Sequence, residues 1–503
     1  MKKLFAIIMT ICLLAGVLCV PVLAADAPAA GVVLRVSALK KTASNTLETQ
    51  VLKDFESFQD GWNHAMEIAG DDDEMDDNQY ERIVVDIYTD WEANDEGGFT
   101  KELWNGDGFK NDTIFVPADA KVTLNLNGHT IDRGLTDDID DGEVMFINDD
   151  ADIIINDGTI TGGFSNSEGG CLYIESAKVT LNNVNITNNI VEDDDGAGIA
   201  AYGDTTLIIN GGSISDNLVA QDDVEDFYGG AIYIEDGTAV LTGVTIKGNA
   251  YDSPNMGWLY GTVIYSNDAS ITMTNCTVQE NGLDEYDGVA HGPVNSIIFA
   301  KDSKIVIENT DFINNGKKDV KVFGGGRGGS DPVANSLFSI SDSEFTLTGG
   351  TITGNDMAFL FKLIDSTAYV EGMDLTGNDA YSVAVDNGSS TPGVFVNCKF
   401  GSCPPFDDDF EFDFELWGSK KGIIFENCTF NNSTFSDKND ATFYGGNVSN
   451  AAGSIFGEGS LTMIVSFVAL IASVAAIVVN VSSKKKAVPV AANGATETEN
   501  TEE

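Results

Sequence analysis

The sequence predicts an all-β chain wound as a right-handed parallel β-helix solenoid of roughly twelve coils, with a mixed N-terminal cap and one C-terminal transmembrane helix. Three observations predict it: an apolar rhythm that recurs along the chain, a turn position held only by Gly, Asn or Asp, and an Asn shared by seven successive copies.

Composition sets the bounds. Of 503 residues, 79 are acidic and 27 basic, a formal net charge of −52. That excludes nucleic acid as a partner, because phosphate recognition rests on Lys and Arg. With 43% hydrophobic and 21% charged residues, the chain can still bury a core.

The elements follow in order. Lys2 and Lys3 precede the apolar run Leu4 to Val20, and Val22-Leu23-Ala24 offers a small-residue cleavage site, so residues 1–24 read as a secretory signal peptide. Leu18 before Cys19 argues against lipidation. Residues 25–110 read as a cap: Phe55, Phe58, Trp62 and Met66 stand at helical spacing, the acidic run Asp71 to Glu74 follows, and Ile83 to Tyr88 reads as a strand. Capping is required because an open first coil exposes strand edges and core.

Residues 111–451 carry the repeat. Its anchors are Ile131, Ile160, Ile186, Ile214, Ile246, Val278, Phe312, Ile352, Leu375, Phe400, Phe430 and Val448. Five residues before each anchor the side chain is apolar, from Leu126 and Ile155 through to Phe425 and Phe443. Three before it stand only Gly, Asn or Asp, from Gly128 and Asp157 to Asn427 and Gly445. These residues tolerate a left-handed backbone, so a short strand must turn there. Three after the anchor stand Asn189, Asn217, Asn249, Asn281, Asn315, Asn355 and Asn378, which stacking would bring into a structural amide ladder.

A further strand lies upstream of the anchor, as in Gly169-Gly170-Cys171-Leu172-Tyr173-Ile174 and Gly229-Gly230-Ala231-Ile232-Tyr233-Ile234. Length variation falls in one loop per coil, often acidic, as at Glu192 to Asp195. A leucine-rich repeat also pairs an apolar rhythm with an Asn ladder, but here the rest of each coil reads as Gly-led strands rather than a helix.

Residues 452–460 read as a linker. Residues 461–481 carry no charge and span ~31 Å as a helix, about one bilayer core. Lys484, Lys485 and Lys486 follow as a stop-transfer signal, with residues 482–503 as a cytoplasmic tail. Two lysines lie in the signal, and three lysines and four glutamates lie after residue 460. Residues 25–460 therefore hold 22 basic and 75 acidic groups, net −53, facing outward.

The pairing of Gly-Gly-Ala-Ile-Tyr (229–233) and Gly-Gly-Cys-Leu-Tyr (169–173) with Phe312-Ile-Asn-Asn315 resembles the repeat of chlamydial polymorphic membrane proteins. The wider pattern, over about residues 111–450, is similar to the pectin-lyase-like β-helix superfamily and to adhesin-like surface proteins of anaerobic Gram-positive gut bacteria. The single apolar helix departs from the outer-membrane barrel of the chlamydial family. The resemblance implies a bacterial cell-surface protein that binds carbohydrate or a host-surface protein.

No catalytic residue is assigned. Adjacent carboxylates such as Asp137-Asp138 are expected from composition alone, and a charge run is usually a solvated face. His129, two before its anchor, reads as a core histidine. Cys398 and Cys428 would stack in neighbouring coils within disulfide range, although an inward small-hydrophobe role needs no bond. No cofactor is implied; acidic loops without EF-hand spacing offer Ca²⁺ at most a weak site. Three readings stay open: non-catalytic adhesion at the cell surface through a membrane-anchored rod, a membrane-tethered polysaccharide lyase or hydrolase, and a passive surface-layer component.

Overall fold

Each repeat is built as a run of short strands whose side chains alternate between buried and outward positions. In the repeat beginning at Ile199, Ile199–Tyr202 is followed by Thr206–Asn210, Ser213–Ser215 and Leu218–Ala220. The next repeat repeats the order with Ile232–Glu235, Thr238–Thr242, Thr245–Lys247 and Ala250–Asp252. Corresponding strands pair in parallel and in register: Ile199 with Ile232, Ile209 with Leu241, Ile214 with Ile246, and Val219 with Tyr251. The first strand joins an eleven-stranded sheet, the second and third a twenty-two-stranded sheet, and the fourth a four-stranded sheet.

The computed structural model describes residues 28–93, 113–139, 142–192, 194–220, 227–252, 259–282, 285–286, 289–290, 296–316, 323–325, 332–386, 393–402, 413–417, 423–435 and 441–449. All belong to one compact unit, Met1–Gly453. The expected signal peptide, linker, apolar segment 461–481 and tail with Lys484, Lys485 and Lys486 lie outside the described residues, as does Cys403. Among the described residues no helix is long and apolar enough to cross a membrane.

The turn position is uniform. Gly128, Asp157, Asn183, Gly211, Gly243, Asn275, Asn309, Gly349, Gly372, Asn397, Asn427 and Gly445 all have φ between 49° and 85°. A left-handed residue costs most amino acids roughly 1–2 kcal/mol, which explains the restriction to three residue types. From Ile131 to Ile352 the anchors pair with one another directly. The ends differ. Leu124, not Leu126, pairs with Ile155, so the first turn is two residues longer. At the last copy Phe430 pairs with Ser449, and Val448 is 51% exposed. His129 is not in the core: the longer turn leaves it half-exposed with its Nδ1 3.1 Å from Asp90 Oδ1, while Leu126 is fully buried.

Asparagines follow the anchors. Asn189 Nδ2 donates to Asn217 Oδ1 at 2.9 Å, and the same bond links Asn217 to Asn249, Asn249 to Asn281, Asn281 to Asn315, Asn315 to Asn355, and Asn355 to Asn378 at 2.9–3.0 Å. Each Oδ1 also accepts the backbone N–H of the preceding asparagine, at 3.0–3.2 Å. From Asn217 onward each Nδ2 reaches the anchor carbonyl of the preceding repeat, as Asn281 does to Ile246 O at 3.0 Å. All but the half-buried Asn378 are fully buried.

The N-terminal segment turns this parallel stack into an antiparallel edge. Tyr80–Ile87 pairs in parallel with Lys121–Asn125 on one side and antiparallel with Leu34–Lys41 on the other, and Leu47–Phe55 completes the hairpin. Helix Phe58–Ala69, capped by Ser57, buries Phe58, Trp62, Ala65 and Met66 over it. Phe55 ends the hairpin rather than opening the helix. Trp62 Nε1 donates to Phe115 O at 3.0 Å, and Arg82 donates to Val122 O and Asp152 O, both at 2.7 Å, tying the cap to the first coils. Burial pushes the Asp152 carboxyl up, but Arg82 and Lys178 outweigh it and hold it below its usual range.

Near the other end the core becomes aromatic. Phe338, Phe361, Phe395, Phe425 and Phe443 follow one another at centroid distances of 5.2–5.7 Å. Cys398 and Cys428, the pair weighed from sequence for a disulfide, lie buried side by side next to this core, each with a free thiol. Their Sγ atoms donate to the carbonyls of Val396 and Phe395, each at 3.3 Å.

Replacing Asn281 by Ala removes the acceptor of two Asn249 N–H groups and leaves them buried. Urea unfolding should show a loss of about 3 kcal/mol. Loss of less than about 0.5 kcal/mol would mean the ladder does not hold the coils together.

Candidate functional site

The eleven-stranded sheet presents an unusual outer face. Along each of its strands two columns point inward, such as Leu172 and Ile174, and are buried. The column between them points out, and through the first seven strands it reads Phe115, Phe146, Tyr173, Ala200, Tyr233, Tyr265 and Phe299 in direct register. Ala200 is the exception, and Tyr202, two residues on along the same face, supplies the missing ring.

The rings form one continuous row. Successive centroid distances are 5.8 Å for Phe115–Phe146, 4.8 Å for Phe146–Tyr173, 5.7 Å for Tyr173–Tyr202, 5.0 Å for Tyr202–Tyr233, and 5.2 Å for both Tyr233–Tyr265 and Tyr265–Phe299. Offset aromatic pairs at such separations contribute ~0.5–1.5 kcal/mol beyond area burial. Tyr228 and Tyr260 come from the loops before the sheet strands. They pair in a short parallel ribbon and pack on Tyr265 at 4.6 Å and on Phe299 at 5.3 Å respectively. Most of these side chains are half-buried.

Carboxylates flank the row. Tyr173 Oη donates to Glu175 Oε1 at 3.0 Å and Tyr233 Oη to Glu235 Oε2 at 3.2 Å, while Asn267 Nδ2 donates to Glu235 Oε1 at 2.9 Å. Asp195 Oδ1 accepts the Tyr228 N–H at 2.8 Å. Burial pushes the Asp195 carboxyl up to about 8, and the charges of Asp194, Glu168 and Glu235 add to it against that hydrogen bond. Burial raises the phenols of Tyr173, Tyr202, Tyr233 and Tyr265 as well, and the neighbours that act most on them are acidic or phenolic. This is an acceptor-rich, aromatic surface. It favours hydroxyl and ammonium donors and opposes anions.

The sequence places Tyr173 and Tyr233 within strands without assigning them a face. The alternation itself carried the signal, since a residue between two inward ones points outward. The Asn residues from Asn189 to Asn378 are brought together, Asn189, Asn217 and Asn249 in the turn between the long and four-stranded sheets, and none of them is part of this row. Among the described residues no group of three or more His, Cys, Asp or Glu is placed to hold a metal ion.

Asp195 supplies a pH signature. With its folded carboxyl raised, the folded state binds the proton more tightly than the unfolded chain. Asp195 therefore favours folding below about pH 4 and progressively loses that contribution as pH rises towards 8. Asp195→Asn should leave the melting temperature unchanged at pH 4 and raise it by several degrees, roughly 2–4 °C, at pH 8. A variant less stable than the parent at pH 8 would refute the strained carboxylate.

No protein-family model, no curated protein and no solved structure matches this chain.

Proposed function

We propose that the chain is a right-handed parallel β-helix held at the bacterial cell surface by one membrane helix, and that it binds carbohydrate without cleaving it. Parallel strands joined by a crossover in one sheet are right-handed in about 98% of cases, which supports the handedness. Three sheets in common register with buried inward columns support closure into a solenoid. The leader, the uncharged segment 461–481 and Lys484 to Lys486 support an outward ectodomain on the plasma membrane.

The observation that carries the binding reading is the row of outward aromatic rings with hydroxyls and carboxylates along it. A linear polyhydroxylated polymer finds apolar ring edges along the row there, with hydrogen-bond acceptors at Glu175 and Glu235. One feature favours the rival, glycan cleavage: burial pushes the Asp195 carboxyl up to about 8, the direction a general acid requires.

The full chain in detergent, mixed with mucin or plant cell-wall polysaccharide, separates these readings. Retention on the solid without soluble sugar is the expected result, and Tyr202→Ala with Tyr233→Ala should weaken it about tenfold. Oligosaccharide accumulating with time would replace binding by catalysis, and no retention would leave a passive surface component.

A further inference from the structure

The aromatic row is interrupted at one rung. On one side Tyr233, Tyr265 and Phe299 lie nearly parallel, with interplanar angles of 9° and 5°. At Ala200 that geometry fails. Tyr202 meets Tyr173 edge-on at 82° and Tyr233 at 40°. The register explains the break: Ala200 contributes no ring, and Tyr202 sits opposite Glu175 rather than Tyr173.

Charge and hydrogen bonding are also distinctive here. Asp195, Glu168 and Asp194 act on Tyr202, and Asp195 and Glu235 act on both Tyr233 and Tyr265. The hydroxyls of Tyr173 and Tyr233 are spent on Glu175 and Glu235. Those of Tyr202 and Tyr265 make no hydrogen bond to a described residue. Tilted phenol rings beside carboxylates attract an ammonium twice, through ring quadrupole and opposite charge. An uncharged sugar gains only hydrogen bonds, and an anionic one meets repulsion.

We propose that this interruption is a subsite for an amine-bearing sugar, a glycan with free ammonium groups seated between the Glu168 and Glu235 carboxylates and the rings of Tyr202 and Tyr265. The inference rests on the carbohydrate-binding reading above and names its ligand class. The charge complementarity is local: the ring row gives it a position, which distinguishes it from the diffuse attraction of any polycation to a surface of net charge −53.

Three short oligosaccharides test it by calorimetry on the full chain in detergent at physiological salt: the tetramer of β-1,4-glucosamine, its fully N-acetylated counterpart and a tetragalacturonate. The amine tetramer should bind at least about tenfold tighter than the acetylated one. Glu168→Gln combined with Glu235→Gln should abolish that difference, while Asp72→Asn with Asp73→Asn in the cap should leave it intact. Tyr202→Phe, which removes only a hydroxyl, should weaken the amine tetramer by a few fold, with circular dichroism unchanged.

Equal affinity for the amine and acetylated tetramers, or preference for the galacturonate, would overturn the subsite and leave carbohydrate binding standing. So would an amine preference that survives Glu168→Gln with Glu235→Gln or falls with the cap variant. Failure of all three oligomers, together with no retention on polysaccharide, would bring down the binding reading itself.

Discussion

The fold depends on a buried amide bonded to its counterpart one coil away. Side chains on a strand alternate with a period of two, so a slip of one residue would send every inward apolar group outward. Apolar contacts alone resist such a slip weakly when neighbouring residues are of similar size, as with Ile208, Ile209 and Leu207. The asparagines resist it strongly. Asn249 gives Nδ2 to Asn281 Oδ1 and to Ile214 O, and its backbone N–H to the same Oδ1, in a site with no access to water. Displacing one coil strands all three bonds.

Register fixed in this way makes the outer face continuous. The ring row on the eleven-stranded sheet exists because each coil presents the same column to the same side. The loop between the four-stranded and eleven-stranded sheets is free of that constraint. It differs in length from coil to coil, and it delivers Glu168, Asp195, Tyr228 and Tyr260 to the flank of the row. Stability and recognition are thus assigned to different parts of one repeat, as solenoids permit.

The same division explains what could be read from sequence. The turn position was legible because a left-handed φ restricts the residue type, and the asparagines because one amide recurs at one offset. The strand at Ile199–Tyr202 escaped notice because Gly196, Ala200 and Ala201 blur its apolar pattern, though it pairs squarely with Leu172–Glu175. The first and last copies misled for different reasons. The last has a neighbour on one side only, so a one-residue offset at Val448 meets little resistance, whereas the first abuts the cap strands as well as the next coil and takes a turn two residues longer at Leu126. The acidic flank was illegible because its members come from loops of unequal length, where composition predicts carboxylates everywhere and spacing identifies none.

Net charge then decides which carboxylates matter. On a surface of net −53 most acidic side chains stand in water, where screening over ~8 Å leaves each with little influence on the next. Asp195 differs because the Tyr228 ribbon and the ring row remove water from around it, so neighbouring charges reach it through a less polarisable medium. The aromatic row supplies the low dielectric, and the variable loop supplies the charge. Neither alone would perturb a carboxyl, since the rings carry no formal charge and the loop by itself is solvated. The perturbed carboxyl therefore arises where the regular outer column and the irregular loops meet, in the coil where Ala200 contributes no ring.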